Sequence, residues 1–492
     1  MFETAELGRT TTKEEYKALE GALRMGLLTV QYELRDADFP VVLVLGGNDR
    51  FGCLEVTNLL HEWMDARYLE ANVFESPSDE ELERPRFWRY WRTLPAKGRI
   101  GIYHREWTTH TILDRLRGKL DDAGLDERLR EIEGFERALV ADGAVVVKFW
   151  LHIPRKALAD RLSEAKKKAS ASWKVRRSDR LILRHFDRVQ EVAEAVLHRT
   201  SMGDALWNVV ESADSRYRDV TVAQILMRTL ALRLAQPPKQ RNLHPRAPSR
   251  DSPNPLTVLD RVDLSRKLEK DAYEKKLARY WERLGRVSRK LHRRGRSVVM
   301  VFEGWDAAGK GGAIRRLTKA MDAAHYRVIP VGAPTEEERG HHYLWRFWRQ
   351  LPRAGHWTIF DRSWYGRVLV ERLEGFAFEE EWKRAYAEID DFESLIVARG
   401  TLLLKFWMHI SPEEQLRRFK AREKVPFKKY KITADDYRNR DRWHEYELAA
   451  DEMIQRTSTP VARWHLVPGN DKNWARIQVL KTVCRELEKA LA

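Results

Sequence analysis

Gly304, Gly309 and Lys310 stand at the spacing G-x-x-x-x-G-K, and Asp306 lies inside the loop they bracket. In such a turn the backbone N–H groups point inward at an anion and the lysine adds a positive charge. Gly304, Ala308, Gly309, Gly311 and Gly312 therefore read as phosphate-binding positions, with Lys310 as their cation. An ordinary loop of this kind has Ser or Thr after the lysine to hold Mg²⁺, and here Gly311 follows. Asp306 is then the loop's own oxygen ligand, since Mg²⁺ accepts one or two carboxylates along with phosphate oxygens and water; the alternative is a loop-capping aspartate bonded to nearby backbone. A second carboxylate, Asp361, ends the short strand-like run Thr358 to Phe360 in the manner of a Walker B segment. It is the other expected metal ligand, against the alternative of a helix N-cap. Arg362 and Arg367 follow closely and can meet phosphate oxygens in forked geometry, Arg362 against the alternative of a surface ion pair. Together these residue types perform phosphoryl transfer, whose catalysis rests on positioning and on charge placed around the equatorial oxygens.

Such a loop needs a strand before it and a helix after it. Val298 to Phe302 is an apolar run of strand length, and AIRRLTKAMD from Ala313 has a helical pattern whose positive N-terminal end would face the anion. Further short apolar runs at His325 to Val331, Thr358 to Phe360, Leu402 to Trp407 and Trp464 to Val467 alternate with helical stretches. That alternation predicts a parallel sheet covered by helices on both faces, with the ligand site at the carboxyl ends of the strands. In GHHYLWRFWRQLP, Gly340 to Pro352, the aromatics interleave with Arg346 and Arg349, yet Leu344, Phe347, Trp348 and Leu351 keep helical spacing and read as core. The basic stretch Leu416 to Lys431, broken by Pro426, reads equally as a solvated face or as a lid that closes over phosphates.

The segment Val41 to Cys53 aligns with Val298 to Lys310 at an offset of 298 − 41 = 257 residues. The same offset pairs Trp88 with Trp345, Trp91 with Trp348, Lys148–Trp150 with Lys405–Trp407 and Trp207 with Trp464, so the chain holds two copies of one domain. Residues 1–235 form the first copy, 236–256 a proline-rich linker with six prolines, and 257–492 the second copy. Charged helical patterns, Lys13 to Leu34 and Leu264 to His292, introduce the copies and read as amphipathic helices on the domain edge. In the first copy Cys53 replaces Lys310 and His104 replaces Asp361, while Gly47, Asp49, Gly52 and Arg105 match Gly304, Asp306, Gly309 and Arg362. Losing the lysine and a carboxylate points to a degenerate copy, a scaffold or polymer-binding surface; two residues are too few for a soft-metal site.

With 492 residues, 43% hydrophobic and 33% charged, the composition suits two soluble globular domains. No apolar run approaches the length that spans a bilayer, and the N-terminus lacks a signal-peptide core. Cys53 and Cys484 alone cannot make a disulfide framework, which suits the cytoplasm. A net charge of +16 favours an anionic partner.

The motifs G-x-D-x-x-G-K-G at Gly304 to Gly311, LP-x-x-G-x-W at Leu351 to Trp357, FDRSWY at Phe360 to Tyr365 and KFW-x-H at Lys405 to His409 are specific in combination. At these residues the chain resembles the polyphosphate kinase 2 family, and the resemblance covers both copies. It implies a P-loop kinase core with a helical lid, acting with Mg²⁺ between inorganic polyphosphate and nucleotides. The tandem form resembles class II, which implies polyphosphate-dependent phosphorylation of AMP to ADP. The fold class expected is thus α/β, two tandem P-loop kinase-like domains, each a parallel β-sheet covered by helices, with a helical lid. By the same resemblance Asp306 and Asp361 position Mg²⁺ and the acceptor phosphate, Lys310 and Arg362 are catalytic cations, and Arg422 is the lid arginine. PFKKYK at Pro426 to Lys431 departs from the family's DP-x-K-x-WK. Polyphosphate and AMP or ADP are the expected partners, without nucleic acid or membrane, and a homo-oligomer is compatible with the sequence. The competing expectations are an ATP-dependent nucleotide kinase or NTPase, a polyphosphate–nucleoside diphosphate kinase, and a basic nucleic-acid-binding protein.

Overall fold

A computed structural model describes residues 1–167, 172, 175–236, 256–426 and 434–491. The linker expected at 236–256 lies almost wholly outside the described residues, and so does most of the PFKKYK stretch. The chain divides into two compact units. One comprises Met1–Pro77, Thr93–Lys239 and Arg339–His342; the other comprises Ser78–Arg92, Gln240–Glu338 and Tyr343–Ala492.

The first unit contains strands β1 (Val41–Gly47), β2 (Leu69–Val73), β3 (Ile100–His104), β4 (Val145–His152) and β5 (Trp207–Glu211). The second contains β6 (Val298–Gly304), β7 (Tyr326–Pro330), β8 (Trp357–Asp361), β9 (Leu402–His409) and β10 (Trp464–Pro468). Each set forms one parallel five-stranded sheet, in the order β2-β3-β1-β4-β5 and β7-β8-β6-β9-β10. The two orders are the same. All five expected strands of the second copy form, each extended or trimmed by a residue or two at its ends.

Burial explains why the central strands read as unbroken apolar runs. Val298 to Phe302 on β6 are fully covered by β8 and β9 at their sides and by helices above and below. The register Phe302↔Asp361 and Phe302↔Phe406 brings the ends of β6, β8 and β9 to one edge, from which the glycine loop and Asp361 both emerge. The chain passes from β6 out to β7, returns through β8 and then crosses to β9 on the other side of β6, so a crevice opens at that edge. The edge strand β7 is covered much less than β6.

Helices Lys13–Leu34 and Ser215–Leu234 pack on one another in the first unit, as do Lys270–Arg293 and Lys472–Lys489 in the second. The charged helical patterns are therefore edge-packing helices. The segment around Trp345 contributes only one helical turn, Trp345–Trp348, and Leu344, Phe347, Trp348 and Leu351 are buried, which bears out the core reading.

The 257-residue register runs the full length of both copies. The 3₁₀ turn Phe2–Ala5 answers Leu259–Arg261, and the N-caps Asp214 and Asp471, with 214 + 257 = 471, accept hydrogen bonds from Tyr217 and Trp474. The KFW motif keeps a structural role in both. Lys405 is buried and donates to Glu393 (2.7 Å), to the Thr457 carbonyl (2.7 Å) and to the Tyr365 hydroxyl (2.8 Å). Lys148 donates likewise to Glu136 (2.6 Å) and to the Thr200 carbonyl (2.5 Å). A buried charge is tolerated because each is paired with a glutamate and a carbonyl, and in Lys405 all three donor hydrogens have partners.

Candidate active site

The glycine loop is shaped by steric demands at two positions. Gly304 ends β6 at φ +129°, and a Cβ there would lie 2.3 Å from the Met408 carbonyl oxygen, so no larger residue fits without moving β9. Gly309 has φ +110° and caps helix Lys310–Thr318 in the left-handed conformation. It supplies no side-chain cap, which leaves the N–H groups of Lys310 and Gly311 available to an anion, whereas Gly312 N–H donates to the Gly309 carbonyl. Ala307 (φ 62°) and Arg362 (φ 67°) also sit in the left-handed region, a strain of about 1–3 kcal/mol each that surrounding contacts must hold.

Arg418 is the principal brace. Its buried guanidinium donates to the carbonyls of Ala307 (2.9 Å), Ala308 (3.0 Å), Gly469 (2.5 Å) and Asn470 (3.0 Å), and its Nε donates to Glu414 (2.5 Å). It ties the loop to helix Pro412–Glu423 and to the turn after β10. Trp305 adds a second brace: its ring stacks on Trp443 at 3.6 Å, and its Nε1 donates to His409 Nδ1 at 3.0 Å. His409 is therefore neutral with its proton on Nε2, and burial lowers its pKa to about 4.

An open cleft of about 590 Å³ lies over the loop. It is lined by Asp306, Ala308, Gly309, Lys310, Gly311, Gly312, Asp361, Arg362 and Arg422, together with Arg315, Arg417, Arg418, Lys472 and Arg476. Eight cations thus face two carboxylates. Of the expected site residues, Gly304 forms the floor of the loop without lining the cleft, and Arg367 is placed elsewhere. Arg367 is engaged with Glu371 (3.1 Å) and Glu381 (3.5 Å) and lies over the Tyr343 ring. Arg315, Lys472 and Arg476 escaped sequence reasoning, while Arg417 and Arg418 belong to the basic stretch that read equally as a solvated face or a lid over phosphates. The signal was weak, since single cations on charged helices read as solvated surface, and only the approach of three helix ends to one edge gathers them.

Lys310 Nζ donates to the carbonyls of Gly304 (2.6 Å) and Trp305 (3.2 Å). Burial lowers its pKa, and Asp306, Asp361 and Glu303 oppose that shift. Asp306 accepts from Arg362 at 2.7 Å and from Asn439 at 3.4 Å. Burial would raise its pKa, but Lys310 and Arg362 outweigh burial and hold it below the usual carboxylate range. Asp306 is thus ionised and bonded to side chains, so it is not a loop cap. Asp361 does not cap a helix either; Ser363 does that for Trp364–Val368. Beneath them Glu303, buried and accepting from Ser363 at 2.7 Å, has its pKa raised by burial. Among the described residues no three His, Cys, Asp or Glu side chains gather as a metal cluster.

The first copy shows the same motif closed. Helix Arg50–Trp63 begins at the residue equivalent to Ala307, three residues before the equivalent of Lys310, so its first turn occupies the loop. Asp49 caps that turn by accepting from Gly52 N at 3.0 Å, and is further held by Ser212 (2.6 Å) and Arg161. Where the second copy has Ala307 and Ala308, the first has Arg50 and Phe51. Arg50 makes a buried two-pronged ion pair with Asp179 at 2.8 Å, and Phe51 joins an apolar cluster with Leu113, Ile153 and Ile182. The remaining cavity is about 20 Å³. Cys53 is a buried thiol whose pKa burial raises, and His104 is buried with its pKa lowered to about 3 by burial. The eight cleft cations become Cys53, Asn58, Arg105, Asp160, Arg161, Ala165, Ser215 and Asp219, only two of them still basic.

A parallel sheet with a glycine loop after its central strand, a helix N-terminus left open and a basic cleft above it define a P-loop protein built to hold phosphate groups. A family model, Polyphosphate kinase 2 (PPK2), matches residues 10–238 and again 267–492. A Pseudomonas aeruginosa relative named polyphosphate:AMP phosphotransferase is 47% identical over 491 residues, covering 100% of this chain and 99% of the relative. A relative of the same name from Pseudomonas syringae pv. tomato is 44% identical over 493 residues, covering 100% and 99%. A solved structure described as a polyphosphate kinase 2 from Pseudomonas aeruginosa PA01 superposes with a TM-score of 0.88 at 45% identity, covering 100% of this chain and 99% of that one. The chain belongs to the polyphosphate kinase 2 family. Among the described residues no helix is long and apolar enough to cross a membrane.

Proposed function

We propose that this chain transfers the terminal phosphoryl group of inorganic polyphosphate to AMP, giving ADP, in the cleft of the second copy. The observation that carries the assignment to that copy is the contrast between an open cleft of about 590 Å³ with eight lining cations and its counterpart of about 20 Å³. The choice of AMP is supported by full-length relatives that carry the AMP name and share the tandem architecture.

The helix start at Lys310 and the loop N–H groups bind the phosphoryl group to be moved. Lys310, now held by two loop carbonyls, swings onto its oxygens, an exchange within reach because those carbonyls lie beside the same cleft. Arg362 adds charge from the other side, positioned by Asp306 and by its own strained backbone. Arg315, Lys472 and Arg476 hold the following phosphates of the polymer. An AMP phosphate oxygen is already ionised and attacks in line, so no strong general base is required. Asp306 and Asp361, two carboxylates on one phosphate cleft, fit the modest protein ligand count that Mg²⁺ takes beside phosphate oxygens and water. When bound, Mg²⁺ neutralises charge on the phosphate oxygens. A cytoplasmic setting is part of this reading; Cys53 and Cys484 are free thiols.

Incubation with Mg²⁺, AMP and either polyphosphate or ATP, followed by ADP measurement, tests the reading. ADP is expected from polyphosphate; turnover with ATP alone would overturn it.

A further inference from the structure

The first copy carries a cationic groove apart from the cavity of its closed loop. A groove of about 320 Å³ lies between helix Arg155–Lys167 and helix Arg177–Arg184, lined by Ala159, Leu162, Ser163, Leu183 and the cations Lys166, Arg180 and Arg184. Among the described residues no carboxylate lines it, and none of the three cations has an ion-pair partner. Most other arginines of this unit are committed, as Arg50 is to Asp179 and Arg161 to Asp49.

The second copy serves as an internal reference for what this face looks like without that role. By the 257-residue register Lys166, Arg180, Arg184, Ser163 and Leu183 answer to Glu423, Tyr437, Asp441, Lys420 and Arg440. Those positions sum to zero charge, two acids against two bases, and Tyr437 donates to Glu423 at 2.6 Å. In the first copy the same face carries three positive charges. The change runs opposite to that in the loop cleft, where the first copy lost six of eight cations. The first copy therefore did not simply decay toward neutrality; it is basic on a different face.

We propose that this groove binds a segment of inorganic polyphosphate, resting on the reading that polyphosphate is the substrate of the second copy. Three cations and one hydroxyl around an open groove suit a multiply charged phosphate chain better than a single carboxylate or chloride. Among the described residues no aromatic side chain lines the groove, so those residues offer nothing for a base to stack on, which disfavours single-stranded nucleic acid. A long polyanion held by the first copy keeps its free end at high effective concentration for transfer, an avidity that a short chain cannot exploit.

Binding of tripolyphosphate to the full chain, measured by calorimetry with Mg²⁺, tests this directly. Wild type is expected to bind two equivalents. The variant Lys166→Ala/Arg180→Ala/Arg184→Ala, whose changes lie at exposed side chains, should bind one and keep its rate of ADP formation with short polyphosphate. In a Lys310→Ala/Arg476→Ala background the remaining site should weaken at least roughly tenfold on adding the three groove changes. One equivalent in wild type, or two in the groove variant, would overturn the proposal. Groove binding that persists while polyphosphate yields no ADP would instead sink the substrate reading and leave the groove as a phosphate site. Displacement of tripolyphosphate from the groove by a single-stranded RNA oligonucleotide at lower concentration would replace polyphosphate as the occupant.

Discussion

Lys310→Ala separates binding from chemistry in the cleft. In the structure Nζ bonds two loop carbonyls, and its charge acts on Asp306, Asp361 and Glu303 together. Removing it has three consequences of different size. The loop loses two hydrogen bonds at a half-buried position, but the desolvation cost of a buried ammonium is also removed, so net stability changes by no more than about 1 kcal/mol. The ground-state polymer loses one of eight lining cations, an effect of a few-fold on its KM. The transition state loses a donor aimed at the oxygens on which charge concentrates, which costs about 3–4 kcal/mol, or roughly 10²–10³ in kcat. Steady-state kinetics in polyphosphate at saturating AMP and Mg²⁺ should therefore show a collapse of kcat with KM within a few-fold, and thermal unfolding within a few degrees of wild type. A variant whose KM rises while kcat holds would show that Lys310 anchors the polymer rather than the moving phosphoryl group. Unchanged activity would show that transfer occurs elsewhere in the chain.

Other expectations follow from the same contacts. Cys53→Lys should leave the first copy inert, even combined with Lys310→Ala, because Arg50, Phe51 and the early helix start fill its loop; recovered ADP formation would refute that the copy is sterically closed. Arg418→Ala removes a buried donor to four carbonyls and should destabilise the second unit by about 3 kcal/mol, lowering its melting temperature by roughly 6–12 °C, with activity lost before unfolding. His409 is held neutral with a pKa of about 4 against an ordinary 6.5, so the unfolded chain binds more protons in between. Stability is therefore full above about pH 6.5 and falls as the pH drops toward 4, by at most about 3 kcal/mol, and the loss should be absent from a His409→Gln variant.

The residues named by local pattern were legible because the pattern is itself the physics. A glycine at φ +129° and a lysine six positions later are fixed by a strand-to-helix turn that spans few residues, so spacing alone locates Gly304, Gly309 and Lys310. The central strands β6, β8 and β9 were legible for a similar reason, since burial on both faces leaves nearly unbroken apolar runs. The repeat also needed nothing beyond the sequence. Tertiary structure decided which charges share a space. Arg315 on one helix, Arg417 and Arg418 on another, and Lys472 and Arg476 on a third are ordinary surface cations until the sheet order brings the three helices to one edge. Arg367, which local spacing puts beside Asp361, is instead paired with Glu371 and Glu381. Substitutions at Lys310 and Asp361 marked the first copy as degenerate, but its closure depends on Arg50 reaching Asp179, 129 residues away. Short-range constraint is written in spacing, whereas long-range charge placement is a property of the packed sheet.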